Sequence, residues 1–190
     1  GLLVLLALRL VERPLFGMSR PWTPFITQGV CRVALVLLGL SLRMRGRAAR
    51  QTPLVANHSS WLDIFALNAA ARVYFVAKAE VASWPGIGWL ARATGTVFVR
   101  RVRGDAARQR EKLAARLSAG HALLFFPEGT STDGRRVLRF KPTLFAAIHD
   151  QSSGRVQPVT VVYTAPPGED ARYYGWWGDM EFGTHLLALL

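Results

Sequence analysis

Apolar residues cluster differently in the two parts of this chain. Gly1 to Leu8 is an unbroken apolar run, interrupted afterwards by Arg9, Glu12 and Arg13, and a second run, Val33 to Leu42, lies between Arg32 and Arg43. Between them sit Pro14, Pro21, Trp22 and Pro24, a breaker-rich stretch with an interfacial aromatic. As helices the two runs would rise only about 12 and 15 Å, against a hydrocarbon core of roughly 30 Å. Residues 1–44 are therefore expected to form two helices. Either they lie in one leaflet of a membrane, or they pack as a hairpin on the protein's own core. No small-residue cleavage site follows the first run, so a signal peptide is a poor fit.

From Thr52 onward short apolar stretches alternate with amphipathic ones. Residues 53–56, 73–77, 96–99, 122–126 and 156–163 read as strands. Residues 60–71, 87–93, 105–119 and 143–149 read as helices. That alternation predicts an α/β domain with a mostly parallel central sheet flanked by helices. Residues 164–183, rich in Pro, Gly and aromatics, read as irregular surface. The expected division is a membrane-associated helical segment over 1–47 and a catalytic domain over 48–190. Gly1 stands where a start Met would, and the chain stops inside the apolar run ending at Leu190, so both ends are expected to be truncations.

A chain of 190 residues is long enough for one domain with a real core. Half of it, 51%, is hydrophobic, which fits contact with a membrane. A formal charge of +12 admits three kinds of partner: nucleic acid, an anionic bilayer surface, or an acidic protein or substrate. Zinc-finger and RNA-recognition signatures are absent from the sequence, and nucleic acid is not expected. Arg43, Arg45, Arg47 and Arg50 follow the second apolar run, and such a juncture suits either anionic headgroups or ordinary solvent. Arg108, Lys112 and Arg116 recur at helical spacing, as one basic face that is solvated or docks an acidic partner. Cys31 is the single cysteine, so there is no intrachain disulfide and no cysteine cluster for a metal.

The chemistry concentrates in Ala56-Asn57-His58-Ser59-Ser60-Trp61-Leu62-Asp63. A histidine and a carboxylate five residues apart can be a general base and the group that orients it. On a straight helix they would sit about 140° apart, so the pair needs a turn at His58. A strand ending at Ala56 and a helix opening near Ser60 supply one. Asp63 would then accept from one ring nitrogen and leave the other free to take a proton. The bland alternative is a buried structural pair, or Asp63 as an anion at a helix N-terminus. Ser59 and Ser60 suit helix capping better than nucleophilic attack, because no Gly-x-Ser-x-Gly elbow is present. His121, His149 and His185 have no evident partners in sequence and read as structural or solvated.

Three further blocks follow in order: Gly95-Thr96-Val97-Phe98-Val99-Arg100-Arg101, Phe126-Pro127-Glu128-Gly129-Thr130-Ser131 and Val156-Gln157-Pro158-Val159. With the His58 block, over residues 50–165, they resemble the glycerophospholipid acyltransferase family, whose best-known members acylate lysophosphatidic acid. Lys78, Glu80, Pro85 and Gly88 also match its pattern. The resemblance implies His58 and Asp63 as the catalytic pair and Arg101 as a phosphate-binding arginine. Substrate contacts are expected at Glu128, Gly129, Thr130 and Lys141, with no metal. The family's pattern places a glycine two residues after that lysine, where this chain has Thr143.

The expected reaction moves a fatty acyl group from an acyl thioester, acyl-coenzyme A or acyl carrier protein, to the free hydroxyl of a lysophospholipid. Lysophosphatidic acid is the first expectation for the acceptor. Lyso-ornithine lipid is the alternative, as is a basic membrane-binding module without catalysis. No cofactor is expected beyond the acyl co-substrate. The expected location is the cytoplasmic face of the inner membrane, on an anionic surface.

Overall fold

The computed structural model describes residues 2–49, 52–100, 103–142, 145 and 155–190. Two helices lead, α1 (Leu2–Phe16) and α2 (Thr23–Leu37). The alternating part follows as β1 (Leu54–Ala56), α3 (Leu62–Ala70), β2 (Val73–Lys78), α4 (Ile87–Thr94) and β3 (Val97–Val99). Then come α5 (Ala106–Ser118), β4 (Ala122–Phe125), β5 (Gln157–Val159) and α6 (Phe182–Ala188). The strands form one five-stranded sheet in the order β3-β2-β4-β1-β5, and every described pairing is parallel. Parallel strands need helical crossovers, which cover both sheet faces and make the strands apolar throughout.

Alternation along the strands builds a core on each face. Tyr74, Val76, Leu123 and Phe125 face α5 through Leu113 and Leu117. Val73, Phe75, Leu124 and Leu54 face α3 through Leu67. Leu123, Leu124 and Phe125 are fully buried, and each such side chain stabilises the fold by about 1.5–3 kcal/mol.

The N-terminal helices form a hairpin that packs on the domain. Cys31 and Leu35 of α2 meet Ala69 of α3, and the Gln28 amide and Arg32 guanidinium both donate to the Ala69 carbonyl. Glu12 ties the hairpin together. Its fully buried carboxylate accepts from the Trp22 and Thr23 N–H groups and the Thr23 hydroxyl, and Arg9 donates to it as well. A residue of α1 thus caps the N-terminus of α2, where orphan N–H groups and the helix dipole favour an anion. Burial opposes the charge, but those hydrogen bonds outweigh it and hold the Glu12 pKa below its ordinary value.

Several expectations change here. Of the three prolines expected to break the hairpin, only Pro21 falls between the helices. Pro14 lies inside α1, and Pro24 sits in the first turn of α2, where no N–H is needed. Arg116 is not on a basic surface face with Arg108 and Lys112. Its guanidinium stacks on Tyr74 at 4.6 Å and donates to the Gly95 carbonyl at 2.7 Å. The expected strand over 156–163 pairs only through Gln157–Val159, an edge position that tolerates Pro158. A 3-10 turn, Ala79–Ser83, and helix α6 were not foreseen. Most of the expected helix over 143–149, with His149, lies outside the described residues, as does Arg50.

No described helix is long and apolar enough to cross a membrane. The hairpin nevertheless leaves large apolar side chains uncovered: Leu3, Leu10, Val36 and Leu37 are 74–79% exposed. Trp84, Trp89 and Leu90, in and beside α4, are exposed as well, and α4 contacts both hairpin helices. Cys31 is buried, and burial pushes its thiol pKa up to about 11, so it packs rather than reacts.

Candidate active site

Ligands of parallel α/β sheets collect beyond the carboxyl ends of the strands. Here the central neighbours β1 and β4 run on into the turns bearing His58 and Glu128. After Ala56 the chain leaves the sheet, and α3 opens at Leu62, so residues 57–61 form the turn that the pair requires. His58 Nδ1 lies 2.7 Å from Asp63 Oδ2. The same oxygen accepts from the Ser59 N–H at 2.8 Å and the Ser60 N–H at 3.1 Å. Asp63 Oδ1 accepts from the Tyr163 hydroxyl at 2.6 Å. Asp63 is fully buried, while the His58 side chain keeps 17% of its surface open.

These contacts determine the histidine tautomer. Two amide N–H groups already point at Oδ2, so that oxygen is an acceptor and the hydrogen between it and the ring belongs to Nδ1. Nε2 is then the acceptor nitrogen, the form a general base needs. Asp63 also stands in the first turn of α3, where the helix dipole favours a negative charge. The ring is held flat against Phe126, with centroids 3.9 Å apart and planes 12° apart. Burial, with the charge and hydrogen bond of Asp63, raises the Tyr163 phenol pKa above the ordinary range, so Tyr163 remains a donor.

Three segments fix this turn from outside. Thr132 donates its N–H to the His58 carbonyl at 2.9 Å. Trp176 donates its N–H to the Ser59 carbonyl at 2.8 Å. The Asn57 side chain bonds both the N–H and the carbonyl of Val161, at 2.8 and 2.9 Å, extending the β1–β5 pairing past its last backbone bond. Beneath the turn, Trp61 donates its indole N–H to His185 of α6 at 2.9 Å. His185 and His121 are buried, as a structural reading expects.

The other expected site residues divide. Glu128 is buried three residues beyond β4, and its Oε2 accepts the Leu138 N–H at 2.7 Å. It therefore anchors the loop that returns over the site, and Glu128 makes no ion pair among the described residues. Gly129 adopts φ +73° in the same turn, a conformation glycine reaches without strain, and Thr130 is exposed. Lys141 is exposed, and its N–H donates to the Pro127 carbonyl, which closes the loop. Arg101 lies outside the described residues. Ser60 Oγ accepts from the Leu62 N–H at 3.3 Å, but the N-cap of α3 is Trp61, without a side-chain capping bond, so the capping expected of Ser59 and Ser60 is not what opens the helix.

Tyr163 and Asn57 were not singled out from the sequence. Tyr163 was legible in one respect. Along the run from residue 157 the partly buried positions are Gln157, Val159, Val161 and Tyr163, the two-residue alternation of a strand. Asn57 adjoins His58, but nothing in its type or spacing announces a bond to a segment a hundred positions away.

Residues 45–162 match the family model described as Acyltransferase. A lyso-ornithine lipid O-acyltransferase of Rhodobacter capsulatus is 59% identical over 100% of this chain and 70% of its own length. One from Brucella abortus is 42% identical over 84% of this chain and 65% of its own length. The crystal structure of the 1-acyl-sn-glycerophosphate (LPA) acyltransferase PlsC from Thermotoga maritima superposes with a TM-score of 0.55 at 25% identity. It covers 73% of this chain and 65% of that one. The chain thus spans about two thirds of the length of these three proteins.

Proposed function

We propose, from the premise that this chain belongs to the Acyltransferase family, that it transfers a fatty acyl group from an acyl thioester to the free hydroxyl of a lysolipid. The observation that carries the mechanism is the His58–Asp63 contact, which leaves Nε2 as the one ring nitrogen able to take a proton. Nε2 removes the hydroxyl proton as the oxygen attacks the thioester carbonyl. Asp63 stabilises the imidazolium that forms. The tetrahedral oxyanion collapses, the C–S bond breaks, and the departing thiolate takes the proton back from His58. Metal and acyl-enzyme have no part in this sequence. General-base catalysis supplies about 10²–10⁴-fold, and positioning with backbone donors to the oxyanion supplies the rest.

Lyso-ornithine lipid is the acceptor we favour, supported by two relatives of that name at 59% and 42% identity. Lysophosphatidic acid, the first expectation from sequence, is the second reading, supported by the likeness to the Thermotoga enzyme. Arg101 would meet a carboxylate in the first case and a phosphate in the second, both of which suit a guanidinium fork. The rim around Glu128, Gly129, Thr130 and Lys141 would hold the rest of the acceptor or the acidic donor. The apolar hairpin face would rest in one leaflet, with exposed Arg43, Arg45 and Arg47 against anionic headgroups on the cytoplasmic side.

The test is transfer of a labelled acyl group by the full-length protein in membranes. Acyl-coenzyme A and acyl carrier protein would be offered as donors, lyso-ornithine lipid and lysophosphatidic acid as acceptors. We expect labelled ornithine lipid to form from at least one donor. Turnover of lysophosphatidic acid alone would reverse the order of acceptors, and label released only as free fatty acid would replace the transferase reading with a hydrolase.

A further inference from the structure

We propose that Tyr163 is a positioning residue of the His58–Asp63 pair, clamping Asp63 through Oδ1 so that Oδ2 keeps the ring in its Nδ1–H form. The proposal rests on the reading of His58 as general base. A carboxylate rotates easily about its Cβ–Cγ bond, and a rotated Asp63 would offer His58 a poorly aimed oxygen. Backbone N–H groups of Ser59 and Ser60 hold Oδ2, and the Tyr163 hydroxyl holds Oδ1 at 2.6 Å. Donors on both oxygens fix the plane, which donors on Oδ2 alone would not.

The chain invests structure in bringing this hydroxyl to this oxygen. Tyr163 lies beyond the paired part of β5, where the sheet's own hydrogen bonds have ended. The Asn57 side chain replaces them by bonding both backbone groups of Val161. The residue next to the base therefore sets the register of the residue that steadies its partner. A slip of one position would turn Tyr163 outward and bring Val162 or Thr164 to the site. The Tyr174 ring, 5.8 Å away by centroids, backs the phenol.

The hydroxyl also tunes the charge that His58 feels. By donating to Asp63 it spreads part of the carboxylate's charge away from the imidazole. Without it, the more concentrated negative charge favours the imidazolium over the neutral ring. Of the other ionisable groups on the adjoining loop, Arg135, Arg139 and Lys141 are exposed, and the two carboxylates are engaged elsewhere. Glu128 bonds the Leu138 N–H, and Asp133 pairs with Arg136.

Tyr163→Phe keeps the ring and removes only the oxygen. In the full-length protein, with the lysolipid and thioester that support turnover, we expect kcat to fall about 10-fold and KM to stay within about 2-fold. The acid limb of the kcat/KM profile should move to higher pH by roughly half a unit. A purely packing role would leave that limb in place. If the variant does not fold, 3,5-difluorotyrosine installed at position 163 keeps the shape and strengthens the donor, and the limb should move to lower pH. Wild-type kcat with an unmoved limb in Tyr163→Phe, or an unmoved limb in the fluorinated protein, would overturn the clamp. His58→Ala measured alongside separates the two ideas. If that variant stays active, the general-base reading itself fails; if it is inactive while Tyr163→Phe behaves as wild type, only the clamp does.

Discussion

Asp63 receives donors on both oxygens, and its value to His58 lies in charge and direction together. Asp63→Asn keeps the size but loses the charge, and it brings an N–H₂ into a place built for an acceptor. We expect a fall in kcat on the order of 10³-fold, the scale of losing the orienting acid of a base–acid pair. Steady-state kinetics with saturating acceptor would measure it. Ser59, in the same turn, is asked for its backbone only, so Ser59→Ala should keep most of the activity and intact-mass spectra should show no acylated protein. The His58–Asp63 relationship was legible because strand, turn and helix signals meet within eight residues. The Tyr163 contact was not, because it depends on a register set by Asn57 and Val161, distant positions that no local pattern connects.

Among the elements, the α1–α2 hairpin depends most on a single side chain. Glu12 joins the helices by capping α2 from α1, a role the sequence disguised as a charge interrupting an apolar run. Glu12→Gln removes the charge and leaves buried donors imperfectly paired, which should destabilise the protein by about 1–3 kcal/mol at neutral pH. The pH dependence has a definite sign. The folded pKa of Glu12 lies below its ordinary value of 4.5. Its contribution is thus complete above that value and is lost as pH falls through the lower folded pKa. Denaturant titrations of both proteins from neutral to acid pH should show the wild-type advantage shrink below about pH 4.5. An advantage that grows on acidification would contradict the assignment. Strands β1 to β4 were read to within a residue because buried parallel strands are continuous apolar runs, whereas the run over 156–163 overshot the edge strand β5 by four residues. The 3-10 turn at Ala79–Ser83 and helix α6 carry no such signature; the first buries no residue and the second only His185.

Across the whole molecule the chemistry and the apolar surface are separate features that one sequence must serve. The site gathers at the carboxyl ends of β1 and β4, while the hairpin and α4 expose an apolar surface. If that surface meets lipid, replacing Val36 and Leu37, 74% and 76% exposed, by aspartate should weaken binding to anionic vesicles at least about 10-fold. The fold should survive, since neither side chain is in the core. Vesicle co-sedimentation checks the first point and circular dichroism the second. Unchanged binding would send the hairpin back to a purely structural role. The α/β architecture was visible from periodicity. The two-helix lead was visible too, but hydropathy alone could not say whether its apolar side faces lipid or protein; the structure shows one side packed on α3 and α4 and another left exposed.

The central claim is that His58 takes the acceptor's proton. The most direct measurement is the rate of acyl transfer to lyso-ornithine lipid by the full-length protein and its His58→Ala variant, at equal amounts of folded protein in membranes. We predict robust transfer by the wild type and a loss of at least about 10²-fold in the variant, with transfer dependent on added lysolipid. A variant that acylates the lysolipid at the wild-type rate would contradict the account.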